Sequence, residues 1–327
     1  MKAILFDRPG DPDVLYMGNR PDPLPGTGEL LVRVYATALN RADLLQRKGH
    51  YPPPPGESDI LGLEIAGEVI STGPGAGDWK PGDRVCGLVG GGGYASLALL
   101  PGSQAFPVPE GWSWEMAAAV PEGFLTAWQS LVWLGRLSAG ERVLIHAGAS
   151  GVGTAAIQLA RELGAGEILV TASASKHPLC LELGASRAID YRSVDFSEAI
   201  SGTTTAQQGV DLIVDCIGGP YFTKNLQILN RDGRLVMLAM MGGANVKEMD
   251  LMPLLRNRLQ VIGTTLRNRT QDYKARLVQE LRQFAWPLFA QERLRPVIDR
   301  VFPIEAVVDA HQYMESNKNQ GKIILVW

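Results

Sequence analysis

The stretch RVLIHAGASGVGTAAIQLAR, residues 142–161, runs from apolar residues through a glycine elbow into an amphipathic segment. A strand, a tight turn and a helix in that order can hold the pyrophosphate of a dinucleotide. Gly148 permits the turn, and Gly153 lets the helix pack closely on the sheet. The first helical residues, Ser150, Gly151 and Val152, then offer unpaired N–H groups and the positive end of a helix dipole to an anion. One residue departs from G-x-G-x-x-G: Ser150 stands where the second glycine belongs. A βα turn without ligand has the same local pattern, so the weight falls on what surrounds it.

The residues beyond the elbow narrow the cofactor. NAD-selective sites place an acid about 20 residues past the first glycine, where it accepts from the ribose 2′-OH. No acid occurs from Ile168 to Leu181. Ser173, Ser175 and Lys176 stand there instead, a set suited to a 2′-phosphate and hence to NADPH. The plain alternative for Lys176 is a solvated lysine at a helix start. Tyr191, ending a strand in AIDYR, either lies against the adenine ribose or packs in the core. Met240, Met241 and Gly242 follow a later strand, at the carboxyl end where ligands collect.

These residues need a scaffold. Apolar strands are expected at 142–147, 167–172, 187–191, 210–216, 233–239 and 260–265, separated by helical patterns. Runs such as GVDLIVDCIG are apolar throughout, as strands covered on both faces must be. The alternation predicts an α/β fold with a doubly wound parallel sheet. The first 120 residues differ: ELLVRVYATAL and EIAGEVISTG alternate as half-buried strands, and glycine and proline punctuate the rest. After Leu266 come an amphipathic helix (QDYKARLVQELRQFAWPLF), a strand (RPVIDRVFP), a further helix and the apolar strand GKIILVW. That last strand is expected to return to the first domain.

Bulk properties exclude several classes. A chain of 327 residues implies two domains, and a net charge of −3 with no basic stripe argues against nucleic-acid binding. Cys86, Cys180 and Cys216 form no C-x-x-C pair, which suits a reducing cytoplasm. No apolar run is long enough to span a bilayer, and MKAILFDRPGDPDVLY does not read as a signal peptide.

With these residues in view, the chain resembles the medium-chain dehydrogenase/reductase superfamily, in its zinc-independent, zeta-crystallin-like quinone oxidoreductase branch. The resemblance runs nearly end to end, through ALNRADLLQRKGHYPPPPG, ILGLEIAGEV, WKPGDRV, AAAVPEGFLTAWQ, VLIHAGASGVGTAAIQLA, DLIVDCIGG and YMESNKNQGKIILV. Serine at position 150 is typical of that branch. The resemblance implies a GroES-like β-rich catalytic domain over residues 1–121 and 266–327, with a Rossmann domain over 122–265. It also implies a homodimer paired through the last Rossmann strand.

The same resemblance bears on metal. Where zinc-containing relatives carry a cysteine this chain has Asn40, and where they carry a histidine it has Leu63. Neither side chain can replace a thiolate or an imidazole around zinc. Without a Lewis acid, the accessible chemistry is hydride transfer from NADPH to an acceptor already electrophilic: a quinone, or a conjugated enone or enal. The resemblance places Asn40, Asp43 and Tyr51 at the catalytic site, with Tyr51 and Thr126 near the nicotinamide and Asn319 and Lys322 reaching toward the cofactor. Capping is the plain alternative for Asn40 and Asp43. His146 reads as a core residue, His177 and His311 as solvated, and Glu64 as a structural carboxylate. Two other functions stay open: an NADPH-dependent alkenal or enoyl double-bond reductase, and a non-enzymatic nucleotide- or RNA-binding protein.

Overall fold

The computed structural model describes residues 1–201 and 209–327. It divides into one unit of residues 1–125 and 266–327 and a second of residues 126–265, the boundary falling inside the helix Pro121–Trp128.

In the first unit, β1 (Lys2–Leu5) pairs with β2 (Tyr16–Asn19). The main sheet is built on β3 (Glu29–Ala38), which takes β4 (Glu64–Thr72) and β6 (Leu97–Pro101) as antiparallel partners. Its alternation is real: Leu30, Val32, Val34 and Ala36 are buried and Arg33 is exposed. β5 (Arg84–Leu88) and β7 (Ala105–Pro107) extend the sheet beyond β4.

The second unit holds a six-stranded sheet of β8 (Arg142–Ile145), β9 (Glu167–Thr171), β10 (Arg187–Ile189), β11 (Val210–Asp215), β12 (Leu229–Met237) and β13 (Gln260–Gly263). The order is β10-β9-β8-β11-β12-β13 and all pairings are parallel. The order reverses between β8 and β11, which makes their carboxyl ends the ligand-binding edge of such a sheet. Leu144, Leu169, Ile213 and Leu235 are all buried, which is why these strands read as unbroken apolar runs.

The chain then returns to the first unit. The helix Gln271–Ala290 opens on Thr270, whose hydroxyl accepts from the Tyr273 N–H. β14 (Ile298–Pro303) pairs with β15 (Lys322–Val326), and β15 lies antiparallel on β3. That register brings Lys322, near the end of the sequence, beside the residues that follow β3.

Candidate active-site residues

The elbow explains its own irregularity. Ser150 is the N-cap of the helix Gly151–Glu162, and its Oγ accepts from the Gly153 N–H at 3.0 Å. Serine therefore satisfies a helix-end donor that glycine would leave unpaired. The N–H groups of Gly151 and Val152, the first two of the helix, have no intrahelical acceptor and are of the kind that can meet an anion. Gly148 and Gly153 are sterically required. A Cβ on Gly148 would stand 2.7 Å from the Val170 Cβ, and one on Gly153 only 2.4 Å from the Ala147 carbonyl oxygen.

Below the elbow a buried chain of polar groups fixes its geometry. Asn225 donates through Nδ2 to Asp215, so its Oδ1 accepts from His146 Nε2 at 2.8 Å. His146 Nδ1 therefore accepts from Thr171 Oγ1, which in turn receives the Ala147 N–H. Burial holds the imidazole pKa below its ordinary value, and the ring is neutral. His146 is thus the satisfied core residue expected, and it anchors Ala147, which turns at a positive φ of 53°.

Around the carboxyl edge the expected cofactor residues are distributed unevenly. Ser173 is buried, Ser175 is exposed and Lys176 is half-buried on the short turn Ala174–Lys176. His177 is half-buried and donates to the Ala172 carbonyl. Tyr191 is exposed, with the Arg192 guanidinium above its ring. Met240 and Met241 are also exposed, on a loop tied to the end of β11: Met241 N–H donates to Cys216 O and Gly242 N–H to Ile217 O. Thr126, at the start of this unit, accepts from the Ser130 hydroxyl through its carbonyl.

The first unit gathers Asn40, Asp43 and Lys322 into one cluster. Lys322 Nζ donates to Glu64 Oε1 at 2.6 Å, to Asn40 Oδ1 at 2.8 Å and to the Leu39 carbonyl. Asn40 Nδ2 donates to the same Glu64 oxygen, while Glu64 Oε2 receives the Glu122 N–H. Asn40 is held at both ends of its amide, and Glu64 is the structural carboxylate expected. Lys322, expected beside the cofactor, turns its ammonium inward onto three protein acceptors; Asn319 bonds the Gly321 carbonyl through its amide.

Asp43 is fully buried and accepts from Asn40 N–H, Gly62 N–H and the Tyr94 hydroxyl. Desolvation lifts its carboxyl to about 6 against these donors. The chain continues inward. Arg47 can only donate, so its Nη1 at 3.0 Å makes His311 Nδ1 an acceptor and leaves the proton on Nε2, facing Tyr94. His311 is therefore not solvated, as its helical pattern implied: it is fully buried, and burial with the Arg47 charge pushes it down to about 3. Arg47 also donates to Gly10 O and pairs with Glu315.

Sequence reading missed Glu122. It sits in VPEGF at the start of a helix, an acid amid apolar neighbours, and that flanking is the signal that could have found it. Burial, then the Glu64 and Asp43 carboxylates, raise it to about 7, while Lys322 and Lys274 pull the other way. The folded state thus keeps a proton on Glu122 that the unfolded chain releases near 4.5. Its stability contribution is present below that value and is lost as pH rises through about 7. Glu122→Gln, which fixes the neutral form, is expected to gain about 1–2 kcal/mol on the parent between pH 5 and pH 8. Denaturant unfolding of both proteins at the two pH values measures this; parallel curves would refute it.

Among the described residues no three His, Cys, Asp or Glu side chains group as metal ligands, and no helix is long and apolar enough to cross a membrane. Residues 26–110 match the alcohol dehydrogenase GroES-like domain, and residues 183–325 match the zinc-binding dehydrogenase family. The mouse synaptic vesicle membrane protein VAT-1 homolog is 35% identical across all of this chain and 84% of its own length. The polyketide synthase GfsB of Streptomyces halstedii is 33% identical over 91% of this chain and 5% of its own. The Escherichia coli quinone oxidoreductase solved with NADPH superposes over both full chains with a TM-score of 0.89 at 29% identity. The CurK enoyl reductase, 28% identical, covers 99% of this chain and 98% of its own with a TM-score of 0.87. The chain belongs to the medium-chain dehydrogenase/reductase superfamily, in its zinc-independent branch, and carries that superfamily's nicotinamide-dinucleotide-binding fold.

Proposed function

We propose that this oxidoreductase reduces quinones with NADPH and needs no zinc. One observation carries the reading. Asn40, which stands where the resemblance puts a metal-ligating cysteine in zinc-containing relatives, has its amide locked between Glu64 and Lys322. With no Lewis acid to ionise an alcohol, the fitting acceptor is one already electrophilic. A bound dihydronicotinamide supplies the hydride. Gly151, Val152 and Gly148 would hold its pyrophosphate, with Met240, Met241, Gly242 and Thr126 toward the nicotinamide end and Tyr191 toward the ribose. Tyr51 orients the acceptor; Asn40, its amide engaged at both ends, acts by holding Glu64 and Lys322 in place, and Asp43 by fixing the Asn40 backbone. Stopped-flow loss of NADPH absorbance with ortho- and para-quinones in metal-free buffer tests this. No turnover with any of them would refute it.

The choice of NADPH rests on the loop after β9, which has no acid and carries an exposed Ser175 and a half-buried Lys176. Lys176→Ala is expected to weaken NADPH about tenfold more than NADH, the loss of roughly one charge-assisted bond. Calorimetry with both cofactors checks it, and equal losses would remove the lysine from the phosphate site.

A second reading, reduction of an enoyl or alkenal double bond, is favoured by the likeness to the CurK enoyl reductase. Comparing kcat/KM for a quinone with that for a crotonyl thioester separates the two. We place the enzyme in the cytoplasm, since its three cysteines are all free. We further propose a homodimer through β13, whose outer edge has no partner strand among the described residues and leaves Val261 exposed.

A further inference from the structure

The first unit holds a buried cation that none of the chemistry above uses. Arg267 is only 6% exposed, and its Nε donates to the Gly90 carbonyl at 2.8 Å. Its guanidinium carbon lies 5.5 Å from the centre of the Tyr51 ring. Nη1 and Nη2, the two ends of the fork, are buried and have no hydrogen-bond partner among the described residues. Protein interiors rarely leave such donors unmatched, because each forfeits hydration without replacement. Arg267 lines a small pocket with Glu122, Lys274 and the aliphatic side chains of Leu63 and Leu88. Lys274 is as buried as Arg267, so two cations and one carboxyl face a largely apolar recess.

A planar fork with two free ends matches an oxygen carrying negative charge. A second cation beside it excludes a cationic guest.

We propose that Arg267, supported by Lys274, is an oxyanion-recognition point that takes the carbonyl oxygen of the acceptor as it becomes phenolate or enolate. The assignment rests on reduction of a quinone or conjugated carbonyl as the reaction. The acceptor gains a hydride, with its two electrons, from the bound dihydronicotinamide, and a π pair moves onto the carbonyl oxygen. That oxyanion is what the fork holds. One proton, from the Glu122 carboxyl and restored to it by water, completes the reduced product. Arg267 thereby selects acceptors whose reduction leaves charge on oxygen.

The probe is 4-nitrophenol, whose phenolate absorbs in the visible, titrated into cofactor-free protein below the phenol's own ionisation range. The parent is expected to bind it as phenolate. Arg267→Gln should weaken binding at least tenfold, and Arg267→Lys and Lys274→Met less. Circular dichroism establishes that each variant is folded; should Arg267→Gln not fold, the Arg267→Lys and Lys274→Met titrations decide. A parent that binds the probe as neutral phenol or not at all overturns the proposal. So do folded variants that match the parent. Phenolate binding that depends on Arg267 in a protein that reduces neither quinones nor enones would sink the proposed reaction and leave the pocket standing. Quinone reduction unchanged in Arg267→Gln would do the reverse.

Discussion

Lys322→Met is expected to destabilise the protein by about 3–5 kcal/mol, the cost of removing one partner from a buried ion pair. Glu64 has no solvent exposure, and Lys322 is the one cation whose hydrogen bond it receives among the described residues. In the variant its carboxylate keeps the Asn40 amide and the Glu122 N–H, both neutral donors that cannot balance a charge. Asn40 Oδ1 loses its donor as well. The double variant Glu64→Gln/Lys322→Met removes both charges and should recover more than half of the loss, because desolvating the pair offsets much of its attraction. Urea unfolding of the parent, both single variants and the double gives the coupling energy directly. Additive single losses would mean that the two side chains do not act as a pair, and the account of the metal-free position would fall with them.

That pair shows why part of the site escaped sequence reading. Glu64 and Lys322 are 258 positions apart, and Arg47 and His311 are 264 apart. Local pattern carries no trace of such partners. His311 sits on a helix with polar neighbours and reads as solvated, yet Arg47 and Tyr94 arrive from elsewhere in the chain and enclose it. The second unit is the opposite case. Its central strands β8, β9 and β11 are covered on both faces, so burial writes itself into consecutive residues there, and all six strands lie where the apolar runs place them, the exposed edge strand β13 included. Differences are confined to ends. β12 begins at Leu229, four residues before the expected 233, because Leu229 already pairs with Val210; an irregularity follows, with exposed Arg231 and Asp232 and a φ of 65° at Asp232, before regular pairing resumes at Arg234. The elbow lies between these extremes. Its glycines are legible as steric necessities, although the left-handed residue of the turn is Ala147 and not a glycine; the reason for Ser150 was not legible, since capping and cofactor contact demand the same polar side chain.

The elbow therefore yields a contrast between two single substitutions. Gly153→Ala is expected to weaken dinucleotide binding about 100-fold and to lower stability by about 1–3 kcal/mol, the usual range for forcing an extra methyl into a packed site. The added Cβ would lie 2.4 Å from Ala147 O and 2.6 Å from Gly148 O, and both are backbone atoms that cannot rotate away. The helix must retreat from β8, and its Gly151 and Val152 N–H groups retreat with it. Ser150→Gly creates the generic glycine triplet, and sequence comparison with that triplet would rank it as an improvement. It removes only the Oγ that accepts from Gly153 N–H, and glycine is itself tolerated at an N-cap, so the expected cost is a few tenths of a kcal/mol. Cofactor affinity should stay within about threefold of the parent, since the backbone donors proposed to hold the pyrophosphate are unmoved. Calorimetric titration of NADPH and NADH into both variants measures the contrast. A large loss in Ser150→Gly beside a small one in Gly153→Ala would mean that the serine hydroxyl contacts the cofactor, and that the helix is held by something other than its own cap.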